Sequence, residues 1–332
     1  MDQLQQISQT ISQINAKIAA FEKTVSSSDA AFPVRENLAA EAKLVIPVDT
    51  PLLNRFPTKQ GSGKAAAWKE IVALGSSALT YSMFYAEGGA PSSRTTVYAD
   101  RAEIYKLAGL DGGVAGFAIA AGANFQDQLA TEKSNTIRHL KILEETALIN
   151  ADGTGQSFKG LLAQITTGYG STVRASTGSA ASAVINDLDF ILKSTWDLGG
   201  DISLLVVRSS EAATISNAVT RDSGTSPLRI NVQGPLNIVG GFYVNAYISP
   251  INGARVELLP DKFHTVGTVI GISEQLPAPI PGQGGEGIWL DVLLDYALSD
   301  VSSANDVFLF RVKRYYTVPF PGRVFSAVIT GY

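Results

Sequence analysis

The stretch from 124 to 160, NFQDQLATEKSNTIRHLKILEETALINADGTGQSFKG, limits what this chain can fold into more than any other. Asn124 suits an N-cap, and Asp127 three residues on can satisfy free N–H groups of a first turn. Apolar residues then recur at helical spacing: Phe125, Leu129, Ile137, Leu140, Leu143, Ala147 and Leu148. Glu132, Lys133, Arg138, Lys141, Glu144 and Glu145 take most of what remains. The pattern predicts an amphipathic helix of roughly seven turns, about 40 Å long, which is long for a globular domain. Asn150-Ala151-Asp152-Gly153 stops it with residues that tolerate turn geometry. A loop punctuated by Gly153, Gly155 and Gly160 follows, then the apolar pair Leu161-Leu162.

Ahead of this helix the chain has two further parts. Leu4, Ile7, Ile11, Ile14, Ile18, Phe21 and Val25 alternate spacings of three and four, a heptad seam. Isoleucine at both seam positions favours trimers or larger bundles, although the helix could equally lie on its own subunit. Residues 30–65 carry Pro33, Pro47, Pro51 and Pro57, a density that argues for an extended arm. Ala65–Leu74 and Tyr81–Ala86, the turn cluster 88–93, Thr95–Tyr98 and Ala102–Leu107 then read as a long β-hairpin. Trp68, Tyr81, Phe84, Tyr85 and Tyr98 are its expected cross-strand aromatics. A two-stranded ribbon is barely stable alone, so this one should lie on something else.

Beyond the helix, Ser171–Ala183 is rich in Ser, Ala and Gly and reads as a linker. An α/β unit begins at Asn186: a helix to about Leu198, a strand Ile202–Val207 and a helix Ser209–Val219. Strands follow at Leu228–Val232, Leu236–Val239, Phe242–Ile248, Val256–Leu259 and Val266–Ile272. After a Pro/Gly loop, Pro277–Gly287, come two long strands, Ile288–Leu298 and Val307–Val318, and a short one, Val324–Ile329.

Composition excludes more than it selects. The 332 residues are 45% hydrophobic, ample for a core, yet only 17% charged, which fits a subunit that buries much of its surface against copies of itself. No cysteine is present, so disulfides, thiolate nucleophiles and cysteine metal sites are ruled out. His139 and His264 are the only histidines, little material for imidazole catalysis or zinc. A formal charge of −4 without a basic tail argues against tight nucleic-acid binding. The start of the chain is no signal peptide, and 112–123 is too short to cross a bilayer, so a soluble intracellular product is expected.

The local motifs are weak. Gly282-Gln283-Gly284-Gly285-Glu286-Gly287 has the dinucleotide spacing, but prolines precede it and a strand follows it, so it reads as a loop. Gly61-Ser62-Gly63-Lys64 lacks the spacing of a phosphate loop. Glu144 and Glu145 point to different helix faces and cannot act as an acid/base pair; ion pairing is expected, Glu145 with Lys141 or with a neighbour. Arg311, Lys313, Arg314 and Arg323 fall in a segment from Val307 to the end that holds no carboxylate. They mark either a solvated strand face or contacts to the carboxylates of adjacent subunits.

The order Ala147-Leu148-Ile149-Asn150, Asp152-Gly153-Thr154-Gly155 and Gly160-Leu161-Leu162 resembles the spine helix and following loop of tailed-phage major capsid proteins, the Hong Kong 97-type fold. The last segment, VFLFRVKRYYTVPFPGRVFSAVITGY, is similar to that family's C-terminal strand, proline corner and closing strand. The resemblance covers most of 30–332 and excludes the heptad helix at 1–28. It implies an α+β fold with an N-terminal arm (29–65), an extended hairpin loop (66–110) and two domains. These are a peripheral domain with the spine helix 124–150 and a β-sheet (111–175 and 288–322), and an α/β axial domain (176–287 and 323–332). The implied function is self-assembly, as hexamers and pentamers, into an icosahedral shell around the double-stranded DNA of a tailed phage. The DNA would be enclosed without being gripped, in keeping with the mild negative charge.

Portal, scaffolding and decoration proteins are the implied partners, and the virion capsid, assembled in the host cytoplasm, is the implied location. No enzymatic activity, cofactor, metal or membrane contact is implied. Inter-subunit contacts are expected at Leu4, Ile7, Ile11, Ile14, Ile18 and Phe21, at Trp68, Tyr81 and Tyr85, and at Arg311, Lys313 and Arg314. Some members of the family cross-link a hairpin lysine to an asparagine beside a glutamate; Asn305 matches the asparagine, but no Glu follows it, so cross-linking is not expected. Two other readings stand beside this one. An encapsulin-type nanocompartment shell would differ in its cargo, and a cytoplasmic α/β enzyme would run as a small oligomer.

Overall fold

A computed structural model describes residue 13 and residues 49–74, 84–90, 95–122, 127–221, 244–277, 285–301 and 306–332. The chain divides into two units, Met1–Val45 and Ile46–Tyr332; in the first, Gln13 alone is described, and it is helical. The heptad seam from Leu4 to Val25 and the arm up to residue 48 therefore lie outside the described residues. So do Tyr81, Asn124, Phe125, the strands expected between Leu228 and Val239, Gly282–Gly284 and Asn305.

The second unit begins with a short helix α1 (Pro51–Arg55), a short strand β1 (Thr58–Gln60), the ribbon strands β2 (Ala65–Leu74) and β3 (Thr96–Ile104), and β4 (Lys106–Ala115). Helices α2 (Gly116–Gly122), α3 (Gln128–Asn150) and α4 (Leu161–Gln164) come next. Then follow β5 (Thr172–Ala175), α5 (Ala181–Asp197), β6 (Leu204–Val207), α6 (Ser209–Arg221), β7 (Ala246–Ile248), β8 (Arg255–Pro260) and β9 (Thr268–Ile272). The chain ends with β10 (Leu290–Val301), β11 (Val307–Thr317), a 3-10 turn (Pro321–Phe325) and β12 (Ala327–Thr330).

Three sheets form. A four-stranded sheet has the order β1-β10-β11-β4, a six-stranded sheet the order β5-β12-β9-β6-β8-β7, and β2 and β3 make a ribbon by themselves. The spine helix α3 lies on the four-stranded sheet, with Leu140 against Phe310 and Val312. In β6 all four residues are buried, because both faces of that sheet are covered. Leu205 and Val207 point to α5 and α6, meeting Leu188, Ile191 and Ile215. Leu204 and Val206 point the other way, into a core shared with Leu148 and Ile149 of the spine helix and with Leu290, Val292 and Tyr316 of the four-stranded sheet. Alternation along one strand thus joins two cores into one body.

Several expectations need correction. The spine helix is capped by Asp127, whose carboxylate accepts from Ala130 N, rather than by Asn124; its 23 residues span about 35 Å. The arm is not extended throughout. Pro51 occupies the first turn of α1, where a missing N–H costs nothing, and β1 pairs in parallel with β10. The Ser/Ala/Gly stretch after 171 is not a linker, since β5 pairs with β12 and Asp187, fully buried in α5, binds Arg174 and the N–H and hydroxyl of Thr177. Residues 106–115 form a strand where the sequence read the end of the hairpin and a weakly polar run. Three glycines mask its pattern, and Gly112 has a steric reason: a Cβ there would sit 2.5 Å from the Phe310 ring and 2.8 Å from Thr136 Oγ1 on the spine helix. Residues 321–325 turn as a 3-10 helix before β12, where a continuous short strand had been expected.

Candidate assembly surfaces

The ribbon is the element least provided for by its own subunit. Its strands pair from Ala65 with Ile104 to Leu74 with Thr96, so an Ile71–Tyr98 cross-strand pair stands on one face. Ile71 is 53% exposed and Tyr98 61%, and Val72, Val97 and Ile104 are exposed as well. Near the tip, Phe84 and Tyr85 are also exposed. Apolar side chains at this density in water mark a candidate contact surface.

The base of the ribbon is fixed. Trp68 meets Trp289 edge-on with ring centroids 6.1 Å apart, and Lys59 lies 4.2 Å over Trp289. Glu70 accepts from Trp68 Nε1 at 2.8 Å and from Arg101 at 3.0 Å, with Arg323 at 3.9 Å. Just beyond β3, Tyr105 donates its hydroxyl hydrogen to Asp291 at 2.9 Å and accepts from Ser62 N. Trp68 is therefore an anchor within the subunit, not one of a row of cross-strand aromatics; Arg101 is its partner across the ribbon.

Under the spine helix the charges are sorted inward. Glu144, expected to pair with a cation, does so out of solvent: it is 2% exposed and binds Arg314 at 2.9 Å, while Tyr296 donates its hydroxyl hydrogen to the same carboxylate oxygen. Burial pushes the Glu144 carboxyl above its ordinary range, with Arg314 opposing. Burial works against the Arg314 cation too, yet Glu144 keeps it above its usual value. Glu145 is fully buried and accepts from Leu52 N and Leu53 N, so the expected pairing with Lys141 is replaced by one with the arm. Of the basic cluster, Arg311 forms two bonds to Asp111 on β4, Arg314 is engaged as above, and Arg323 lies 4.4 Å over Tyr169. These three find partners in their own chain, contrary to a purely solvated or purely inter-subunit role. Lys313 is half-buried on β11, and Tyr85 is 61% exposed.

Reasoning from sequence missed the burial of Glu144, Glu145 and His264, and the parts played by Tyr105, Trp289 and Asp261. For the first two a signal was present. Leu140 and Leu148 lie one turn either side of Glu144, and Ile149 lies one turn after Glu145, so both share rows with buried residues. His139 is exposed on the helix, and His264 occupies a bend, where it is fully buried.

A ribbon, a spine helix across a four-stranded sheet, and a separate six-stranded α/β layer together define a Hong Kong 97-type capsid fold. The capsid of the native GTA particle superimposes with a TM-score of 0.66 at 10% identity, covering 93% of this chain and 99% of that one. Mycobacterium phage Bobi gives 0.63 at 13%, over 92% and 98%. The SrpI encapsulin of Synechococcus elongatus PCC 7942 gives 0.52 at 16%, over 87% and 92%. No curated protein matches the sequence. The profile of the SU10 major capsid protein family matches residues 10–277, and the chain belongs to that family. It is a phage major capsid protein, a structural protein of the virion shell rather than an enzyme, and the encapsulin shares the fold alone.

Proposed function

We propose that this subunit closes an icosahedral shell around double-stranded DNA by laying its ribbon on neighbouring copies within and between hexamers and pentamers. The observation that carries this reading is the ribbon itself, anchored at Trp68, Glu70 and Tyr105 yet exposing Ile71, Val72, Val97 and Tyr98. An anchored, apolar limb is already oriented for its partner, so little ordering cost is left to association. Many weak contacts of this kind act together in a closed symmetric shell.

In this reading residues 29–65 are the arm, 66–110 the hairpin loop, 111–175 with 288–322 the peripheral domain, and 176–287 with 323–332 the axial domain. The heptad helix 1–28 acts as an assembly clamp through Leu4, Ile7, Ile11, Ile14, Ile18 and Phe21. Tyr81, Tyr85 and Lys313 join the ribbon and sheet contacts, and Arg311 and Arg314 act on assembly through the sheet that they brace. Portal, scaffolding and decoration proteins complete the head in the host cytoplasm. The net charge of −4 suits a wall that DNA does not adhere to.

The test is Ile71→Asp combined with Tyr98→Asp. Both side chains face solvent in the subunit, so its unfolding midpoint should stay within a few degrees of wild type. Shell yield by sedimentation should fall at least about tenfold, since a charge is buried at every copy of the contact. Wild-type shell yield from the double variant would remove the ribbon from the assembly mechanism.

A further inference from the structure

Residues 50–60 tie three layers together. Leu52 and Phe56 are buried in the shared core, and β1 extends the four-stranded sheet. Arg55 reaches Glu257 at 3.0 Å and Glu274 at 2.7 Å, on β8 and just beyond β9. At the other end, Leu52 N and Leu53 N donate to the two oxygens of Glu145 at 2.7 and 2.9 Å. Thr50 provides no side-chain cap for α1, so the cap comes from the spine helix.

Glu145 has a second acidic neighbour. Asp261, in the turn after β8, is 1% exposed and lies against the Glu145 side chain, close enough for the two acids to interact. Its Oδ1 accepts from Phe263 N at 2.7 Å, while its Oδ2 finds no hydrogen-bond partner with both groups ionised. The surrounding cations are otherwise committed. Arg314 is bound to Glu144, Arg55 faces Glu257 and Glu274, Arg208 donates to the His264 carbonyl at 3.2 Å, and Lys262 is exposed. His264 sets Nε2 on the Val206 carbonyl, with Nδ1 beside the Thr268 hydroxyl, and burial lowers its affinity for a proton. Glu211 accepts from Gly267 N, and Tyr316 is buried on the sheet side. Two buried carboxylates that form no salt bridge among the described residues are costly; one proton shared between them supplies the donor that Oδ2 lacks and removes a charge.

We propose that the proton shared by Glu145 and Asp261 is the catch of a latch, holding the strap 50–60 on the spine helix while bound and freeing it when lost to solvent. Burial, reinforced by Asp261, pushes the Glu145 carboxyl up to about 8 against the pull of the two N–H donors, so the proton is retained through neutral pH. A raised acid binds its proton in the closed form and has already lost it in the open form. Opening therefore releases a proton at any pH between the ordinary value of about 4.5 and about 8, and it becomes easier as pH rises through that window, by up to tenfold per unit. Above the window the dependence levels off.

Hydrogen exchange of the full-length assembled protein from pH 5 to 9, corrected for the intrinsic rate, reads this directly. In wild type the protection of amides 52–56 should fall toward pH 8 and then level, while Leu204–Val207 in the central strand stays protected. Glu145→Gln has no proton to lose, so its strap protection should be flat with pH, while Asp261→Asn, which removes the acidic neighbour and supplies an amide donor, should move the fall to lower pH. Strap protection in wild type that does not respond to pH would overturn the latch. So would an equal fall in Glu145→Gln, or a fall in wild type that Leu204–Val207 follows; the wild-type profile decides even where a variant does not fold.

Discussion

Arg314→Leu should destabilise the subunit by about 3–5 kcal/mol, because it leaves a buried Glu144 carboxylate with only the Tyr296 hydroxyl for company. Two effects compete. Burying an ion pair earns little by itself, since desolvation offsets most of the attraction; breaking one partner away exposes the full desolvation cost of the other. The triple replacement Glu144→Leu, Arg314→Met and Tyr296→Phe removes every buried polar member, leaving Asp295 in solvent, and should recover most of the loss. Denaturant unfolding of dissociated subunits measures both. Near-wild-type stability for Arg314→Leu would mean that water reaches Glu144, contrary to its 2% exposure.

Leu52→Ala should cost about 2–5 kcal/mol and Phe56→Ala about 3–5 kcal/mol, the losses of core residues rather than of a trailing arm. Leu52 is fully buried and Phe56 nearly so, both in the core where Leu148, Ile149 and Tyr316 meet. Removal of residues 1–60 should accordingly yield insoluble protein, since it also strips β1 from β10 and leaves Glu145 without the donors of Leu52 and Leu53. Urea midpoints for the two point variants, and soluble yield for the truncation, are the readouts. A soluble, fully stable truncation would make the strap dispensable.

These two results bear on what a sequence can disclose. The spine helix, the ribbon and the α/β layer were legible because each is long or strongly periodic, and period is what local patterning preserves. The buried charges were not, because Glu144 and Glu145 were sorted by residue type rather than by helical phase; the four-residue rows through Leu140, Leu148 and Ile149 carried the better signal. β4 was hidden by Gly109, Gly112 and Gly113, residues that strand propensity counts against and that the approach of Phe310 and Thr136 requires at Gly112. The arm was read as extended from its prolines, but Pro51 begins a helix as readily as it ends one. Trp68 was seen as an aromatic of the ribbon, and its partner Trp289 lies 221 positions away, a pairing that no local window contains.

Everything proposed for the ribbon rests on other copies of the chain supplying its cover. Electron microscopy of the purified wild-type protein, with sedimentation on the same sample, tests that most directly. Closed particles of uniform size, or the hexameric and pentameric rings that build them, are the predicted result. A stable 35.1 kDa monomer at working concentration, with Ile71 and Tyr98 folded back against its own surface, would contradict it.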